Sequence, residues 1–199
     1  MVTEAGIIGK IGLNSLGVAV CLNAIPAKGM DPTRIPCHLG LRMVLDSSSR
    51  EEAVAKLERY GVASACHMLV ADATGGVGLE WSYRDVGKLE MNEEGQVFHS
   101  NHYLLEHPDV EELDWWKDSP FRVDRIEELA KGLGGSPSMT EVQDMFADEE
   151  NCPAAVCRKQ EGVSDAATLF NIVMDLEQRV AKITLGRLTD PEGQIDIEF

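Results

Sequence analysis

Short apolar runs set back to back across turn residues recur along this chain, and they restrict it to folds built on antiparallel strand pairs. From Ala5 to Ala24, glycines alternate with branched apolar residues (Gly6, Ile7, Ile8, Gly9, Lys10, Ile11, Gly12, then Leu16, Gly17, Val18, Ala19, Val20). With Asn14 and Ser15 between the two runs, this predicts a hairpin whose glycines leave room for another layer. The glycine spacing is every third residue, so it does not match the GxGxxG or GxxxxGK[ST] loops that cradle phosphates. Val62 to Asp72 has the composition of a buried strand, Thr74, Gly75 and Gly76 make a turn, and Val77 to Tyr83 returns as a second strand. Lys88 to Met91, a turn at Asn92 to Gly95, and Gln96 to His99 predict another pair. Thr168 to Leu176 and Val180 to Arg187, turning at Glu177, Gln178 and Arg179, predict a closing hairpin.

Helical stretches lie between these pairs. Pro36 suits the first turn of a helix carrying Leu39, Leu41, Met43, Val44 and Leu45. Ser48 or Ser49, with Glu51 and Glu52 three residues on, caps a second helix that ends before Gly61. Pro120 to Lys131 and Ser138 to Ala147 read as two more helices, separated by the breaker run Gly132 to Pro137. Strand pairs and helix pairs in this order describe an α+β layered domain with an antiparallel sheet core. The 199 residues, 44% hydrophobic, fit one domain with a substantial core.

The charge balance excludes some partners. With 18 basic against 34 acidic residues, net −16, the chain lacks the clustered cations that nucleic acid or an anionic membrane surface requires. No run approaches a transmembrane helix, and Met1 to Lys10 has neither a basic n-region nor a long apolar h-region. The five cysteines (Cys21, Cys37, Cys66, Cys152, Cys157) are odd in number and widely spread, as in reduced intracellular proteins. Cys37 beside His38 and Cys66 beside His67 invite a metal reading, but sequence neighbours point apart on a strand and no paired CxxC spacing is present.

The stretch Val97, Phe98, His99, Ser100, Asn101, His102, Tyr103, Leu104, Leu105 concentrates the polar chemistry. Its apolar start reads as a strand, which would set a primary amide and two imidazoles at a strand end facing a cavity. A side-chain amide fixed there can donate to an oxyanion forming in acyl transfer. A turn-capping Asn with two surface histidines is the plainer reading. The acidic, aromatic run His107 to Lys117, with Trp115 and Trp116, is either a substrate-side loop or the cover of a core edge.

Several stretches together resemble a known family. Thr3 to Val20, the LEWS run Leu79 to Ser82, His99 to Leu105, Ala147 to Arg158, and Ala167 to Arg187 are similar, in order, to the β chain of the fungal acyl-coenzyme A:6-aminopenicillanic-acid acyltransferase family, in the C45 peptidase-like group of N-terminal-nucleophile hydrolases. The resemblance implies a four-layer αββα sandwich made by autocatalytic cleavage of a precursor, with residues 1–199 forming a single incomplete domain that lacks its first strands. It also implies an N-terminal cysteine whose own α-amine is the base, no cofactor and no metal. The substrate class implied is a small-molecule amide or acyl-CoA thioester, and the further partner is the remaining segment and α chain of the same precursor.

This chain opens Met1, Val2, Thr3 where the family's β chain is already midway, so a chain without its nucleophile, inactive as it stands, is expected. Asn101 matches the family's oxyanion-hole asparagine, and Ser82 and Ser164 match serines associated with processing and activity. His102 is a substrate-side candidate. The family's Ser-Arg-Gly-Ala-Thr-Leu-Phe-Asn run reads here Ser164, Asp165, Ala166, Ala167, Thr168, Leu169, Phe170, Asn171, so Asp165 stands where an arginine would bind a carboxylate and the local field is reversed. A cytoplasmic or peroxisomal location is expected, although Ile197, Glu198, Phe199 is no peroxisomal tripeptide. Two other readings stand beside the enzyme. One is a degenerate paralogue kept as a binding or interaction protein; the other is a metal-dependent hydrolase using His38, His67, His99 and His102.

Overall fold

The computed structural model describes residues 1–162 and 164–199. They divide into two compact units, Met1–Lys117 with Leu176–Arg179, and Asp118–Asp175 with Val180–Phe199.

The first unit begins with β1 (Gly12–Leu13) and β2 (Ala19–Ala24), paired antiparallel with Leu13 opposite Ala19. The turn predicted at Asn14 and Ser15 is present, and the Asn14 Oδ1 accepts from the Leu16 and Val18 amides at 2.9 and 3.0 Å. Helix α1 (Cys37–Leu45) follows Pro36. Helix α2 (Arg50–Tyr60) is capped by Ser49, whose hydroxyl accepts from the Glu52 amide at 3.2 Å, and it stops at Gly61. Strands β3 (Cys66–Asp72), β4 (Gly75–Trp81) and β5 (Val86–Leu89) complete a fully antiparallel sheet in the order β1-β2-β3-β4-β5.

Because successive side chains alternate across a strand, one face of this sheet is apolar throughout. Val18, Val20, Cys66, Met68, Val70, Val77, Leu79 and Trp81 pack there against Leu41, Val44, Ala53 and Leu57 of the two helices. The expected helix pair over one sheet face is therefore seen. One expectation fails: Asn92 to Gln96 does turn, with the Gln96 amide on the Asn92 side chain at 2.8 Å, but residues 97–101 form no strand. Asn101 is accordingly not at a strand end.

The second unit holds α3 (Ser119–Ala130), α4 (Met139–Met145), β6 (Phe170–Asp175), β7 (Val180–Arg187) and β8 (Asp190–Glu198). Ser138 and Glu141 form a capping box at the start of α4. The strands make a three-stranded antiparallel sheet, and the Gln143 amide of α4 donates to the Thr184 hydroxyl at 2.6 Å. β8 extends the predicted hairpin by a strand. Among the described residues, no helix is long and apolar enough to cross a membrane.

Candidate functional site

On the sheet face turned away from α1 and α2, the register sets four residues in a row across β2, β3, β4 and β5: Asn23, His67, Glu80 and Gly87. Glu80 lies between Leu79 and Trp81, whose side chains point into the helix-side core, so its carboxylate has to project the other way. It is nevertheless fully buried. What covers it is the segment running from Val97 to His107.

That segment is held by the carboxylate it covers. Glu80 Oε1 accepts from the Leu104 amide at 2.7 Å and faces His99 Nε2 at 2.8 Å, while Oε2 accepts from the Leu105 amide at 2.9 Å. Burial pushes the Glu80 carboxyl up, but His99 and the two amides outweigh it and hold it below the usual carboxylate range. The sheet makes room at its glycines. A Cβ at Gly78 would lie 2.6 Å from His67 Nε2 and 3.3 Å from Val97 Cγ1, and one at Gly87 would lie 2.6 Å from Leu105 Cδ1.

The His67 and His99 rings stack at 3.6 Å with an interplanar angle of 8°. His67 Nδ1 lies 3.0 Å from Asn23 Oδ1, an acceptor, which fixes the proton on Nδ1 and leaves Nε2 as a buried acceptor without a partner. Burial, helped by the neighbouring His99, pushes the His67 imidazole down to about 2. It is a neutral spacer. His107 completes the bracing: its Nδ1 meets Asp85 Oδ1 at 2.6 Å, and its ring tilts against Tyr103 at 4.2 Å between centroids. Tyr103 in turn donates from its hydroxyl to the Trp81 carbonyl at 2.9 Å.

Ser82, buried just after β4, donates to Asp85 Oδ1 at 2.5 Å and accepts from the Arg84 and Asp85 amides at 3.0 Å each. Arg34 clasps this turn through the Ser82 and Arg84 carbonyls at 3.3 and 2.7 Å. Ser82, Asp85 and His107 thus lie in one chain of contacts, with the carboxylate in the middle. In a hydrolytic triad the imidazole sits between hydroxyl and carboxylate, so this order tightens a turn instead of activating the hydroxyl.

Asn101 is half-buried, and its Nδ2 donates to the Ala24 carbonyl, the last residue of β2, at 2.9 Å. The amide predicted to do chemistry is therefore anchored at both levels: its segment by Glu80 and its own side chain by Ala24. His102 is half-buried on the same segment. Ser164 and Asp165 belong to the second unit. There Ser164 donates to the Ala166 carbonyl at 3.1 Å, and Asp165 is exposed beside Gln160, Glu161 and Gly162 around an open depression of about 310 Å³.

Glu80, Asp85 and His107 were missed as site residues by reading the sequence, and His67 was named only as a metal-ligand candidate. One signal was present: Glu80 is an acid set between two large apolar residues inside a strand, a place that requires partners.

This geometry defines an α+β protein that presents a side-chain amide from a segment braced on a buried carboxylate. Residues 2–190 match the family described as acyl-coenzyme A:6-aminopenicillanic acid acyl-transferase, and the chain belongs to that family. Among its relatives is the acyl-coenzyme A:6-aminopenicillanic-acid-acyltransferase 40 kDa form of Emericella nidulans, 42% identical over 202 residues that take in 100% of this chain and 56% of the relative. The chain thus spans about half the length of that curated relative.

Proposed function

We propose that this chain takes part in moving an acyl group between an amide or acyl-CoA thioester and an amine such as 6-aminopenicillanic acid, or water. In this reading the Asn101 amide donates to the oxyanion of the tetrahedral intermediate. The observation that carries it is the coincidence of a family match over residues 2–190 with an Asn101 amide whose segment and side chain are both held. The bond to Ala24 sets the plane of the amide, so little reorganisation remains when a reacting oxygen arrives to share or replace that acceptor.

The attacking thiol is proposed to be an N-terminal cysteine whose α-amine is its base, contributed from outside residues 1–199. The thiols present support this. Cys66 and Cys157 are buried, and burial pushes Cys21 up to about 11. Cys37 packs against the helix-side cluster, on the face opposite Glu80 and the segment that bears Asn101. The four-layer αββα order belongs to the same proposal, supported by each unit holding one antiparallel sheet and a pair of helices. So do a partner segment from the same precursor and a cytoplasmic or peroxisomal site of action, with all five cysteines free. Ser82 would position its turn, His102 would face the substrate, and Ser164 would take the part in processing and activity of the family serine it matches. Asp165 would disfavour a carboxylate-bearing substrate where the family's arginine attracts one.

The test joins residues 1–199 to the unmatched part of the Emericella nidulans relative, in that protein's order, and assays acyl-CoA with 6-aminopenicillanic acid. Turnover is expected, with Asn101→Ala lowering kcat by roughly 10²–10³ and leaving KM nearly unchanged. A folded chimera without turnover, or an Asn101→Ala chimera with full kcat, refutes the assignment. A stoichiometric acyl adduct on Cys21, Cys37, Cys66, Cys152 or Cys157 of the chain alone refutes the external nucleophile.

A further inference from the structure

Cys37 and Cys66 take no part in the acyl transfer proposed above, yet the fold brings them together. A short parallel bridge sets Ile35 beside Val62, with the Ile35 amide donating to the Gly61 carbonyl at 3.2 Å and the Ala63 amide to the Ile35 carbonyl at 2.8 Å. Just beyond the bridge, the two chains open α1 at Cys37 and β3 at Cys66. One turn further along α1, a Cβ at Gly40 would lie 3.2 Å from Met68 Cε and 3.5 Å from Val62 Cγ2. Met68 and Cys66 share the helix-side face of β3, so Cys37 lies one helical turn back and Cys66 one pleat back from that contact. The packing agrees with this placement: Cys37 lies against the buried apolar cluster that contains Cys66 and Met68.

The pair is asymmetric. Cys37 is half-buried at the first residue of a helix, where the unpaired amides favour a thiolate, and Cys66 is 2% exposed. The hydrogen bond from Cys66 holds the Cys37 thiol below its ordinary value, and the same bond, with burial adding, pushes Cys66 well up. One thiol is the less buried of the two and is held toward its nucleophilic form. The other is sheltered and placed to resolve what forms on the first.

We propose that Cys37 and Cys66 are a peroxide-reactive thiol pair that closes to a reducible disulfide, fixing the start of α1 on β3. The Cys37 thiolate attacks the O–O bond of hydrogen peroxide, forming an S–O bond and releasing hydroxide, which takes up a proton as water. The Cys66 sulfur then attacks the Cys37 sulfur; the S–O bond breaks and the hydroxyl leaves with the Cys66 proton as a second water. Two thiols are oxidised to one disulfide and one peroxide is reduced to two waters. A dithiol reductant reverses the bond by exchange.

The experiment treats residues 1–199 with hydrogen peroxide in slight excess and digests the protein without reduction. The expected result is a loss of two hydrogens in intact mass, a linked peptide pair carrying Cys37 and Cys66, and return of both free peptides on adding dithiothreitol. Cys66→Ser, which changes one atom, is expected to stop at a sulfenic acid on Cys37 that dimedone traps. Oxidation is expected to raise the melting midpoint of the unaltered chain and leave that of Cys37→Ser unchanged. An unmodified Cys37 while the exposed Cys152 is oxidised overturns the proposal. A dimedone adduct on Cys37 in the unaltered chain, with no linked pair, also overturns it because the resolving step has failed.

Discussion

Replacing Glu80 by Gln tests the idea that a buried carboxylate, and not a strand ladder, holds the segment bearing Asn101. The side chain keeps its shape and loses its charge and one acceptor. If its remaining oxygen takes the place of Oε1, the Leu104 amide and His99 are retained and an NH₂ group faces the Leu105 amide, donor against donor, where Oε2 accepted at 2.9 Å. The opposite flip strands two donors. One orphaned buried amide costs about 1–3 kcal/mol, and the retained bonds lose their charge assistance. Breaking a buried carboxylate's set of partners costs about 3–5 kcal/mol in all, a large share of an ordinary domain's stability. Urea unfolding at pH 7, followed by tryptophan fluorescence, is expected to show that loss with an unchanged m value, and the Leu104 and Leu105 amides are expected to exchange far faster. A loss below about 1 kcal/mol with protected amides would falsify the bracing role. The pH dependence has a definite sign. Glu80 is held below its ordinary value, so its contribution is present above the usual carboxylate range and fades as pH falls through the lowered value.

Three further perturbations follow from the same face. His67 is buried and neutral, pushed down to about 2, whereas the unfolded chain takes up a proton near pH 6.5; the unfolded state then binds more protons, so stability falls with pH below about 6.5. About 2 kcal/mol is expected to be lost between pH 8 and pH 5, and a His67→Gln variant with the same acid slope in urea titrations would contradict this. Gly78→Ala forces a methyl to 2.6 Å from His67 Nε2 and 3.1 Å from Leu89 Cβ, so a destabilisation of about 1–3 kcal/mol is expected in thermal melts. Gly76→Ala, whose nearest neighbour would be at 3.5 Å, serves as the control and is expected to be milder. Asp165→Arg lies on an exposed loop and should change stability by less than about 0.5 kcal/mol. In the chimera it should favour carboxylate-bearing acceptors over uncharged ones, measured as a ratio of kcat/KM; an unchanged ratio removes Asp165 from the substrate-facing set.

The parts of the fold legible in the sequence are those fixed by neighbours a few residues away. Asn14 turns the first hairpin through its own side chain, Ser49 caps α2, and Ser138 with Glu141 starts α4, all local chemistry written in consecutive residues. The signal for β8 was present in Ile195 and Ile197 alternating with Gln194, Asp196 and Glu198, but Asp190, Pro191 and Gly193 at its start read as turn residues. The row Asn23, His67, Glu80 was hidden for another reason. These residues are neighbours only once the register is set, and no spacing along the chain encodes it.

The failed strand at Val97 to His99 shows what replaced it. An extended segment must satisfy its amides, and sequence reading supplied the usual solution, a neighbouring strand. Here the segment is held further along, where the Leu104 and Leu105 amides end on the Glu80 carboxylate, and the His99 ring meets the same carboxylate. Side chains can aim a segment where a ladder cannot, across the sheet face instead of along its edge. The position of Asn101 therefore depends on ionisable groups, and acid or a single neutralising substitution at Glu80 should disturb the amide's aim before it disturbs the hydrophobic face formed by Met68, Leu79 and the two helices.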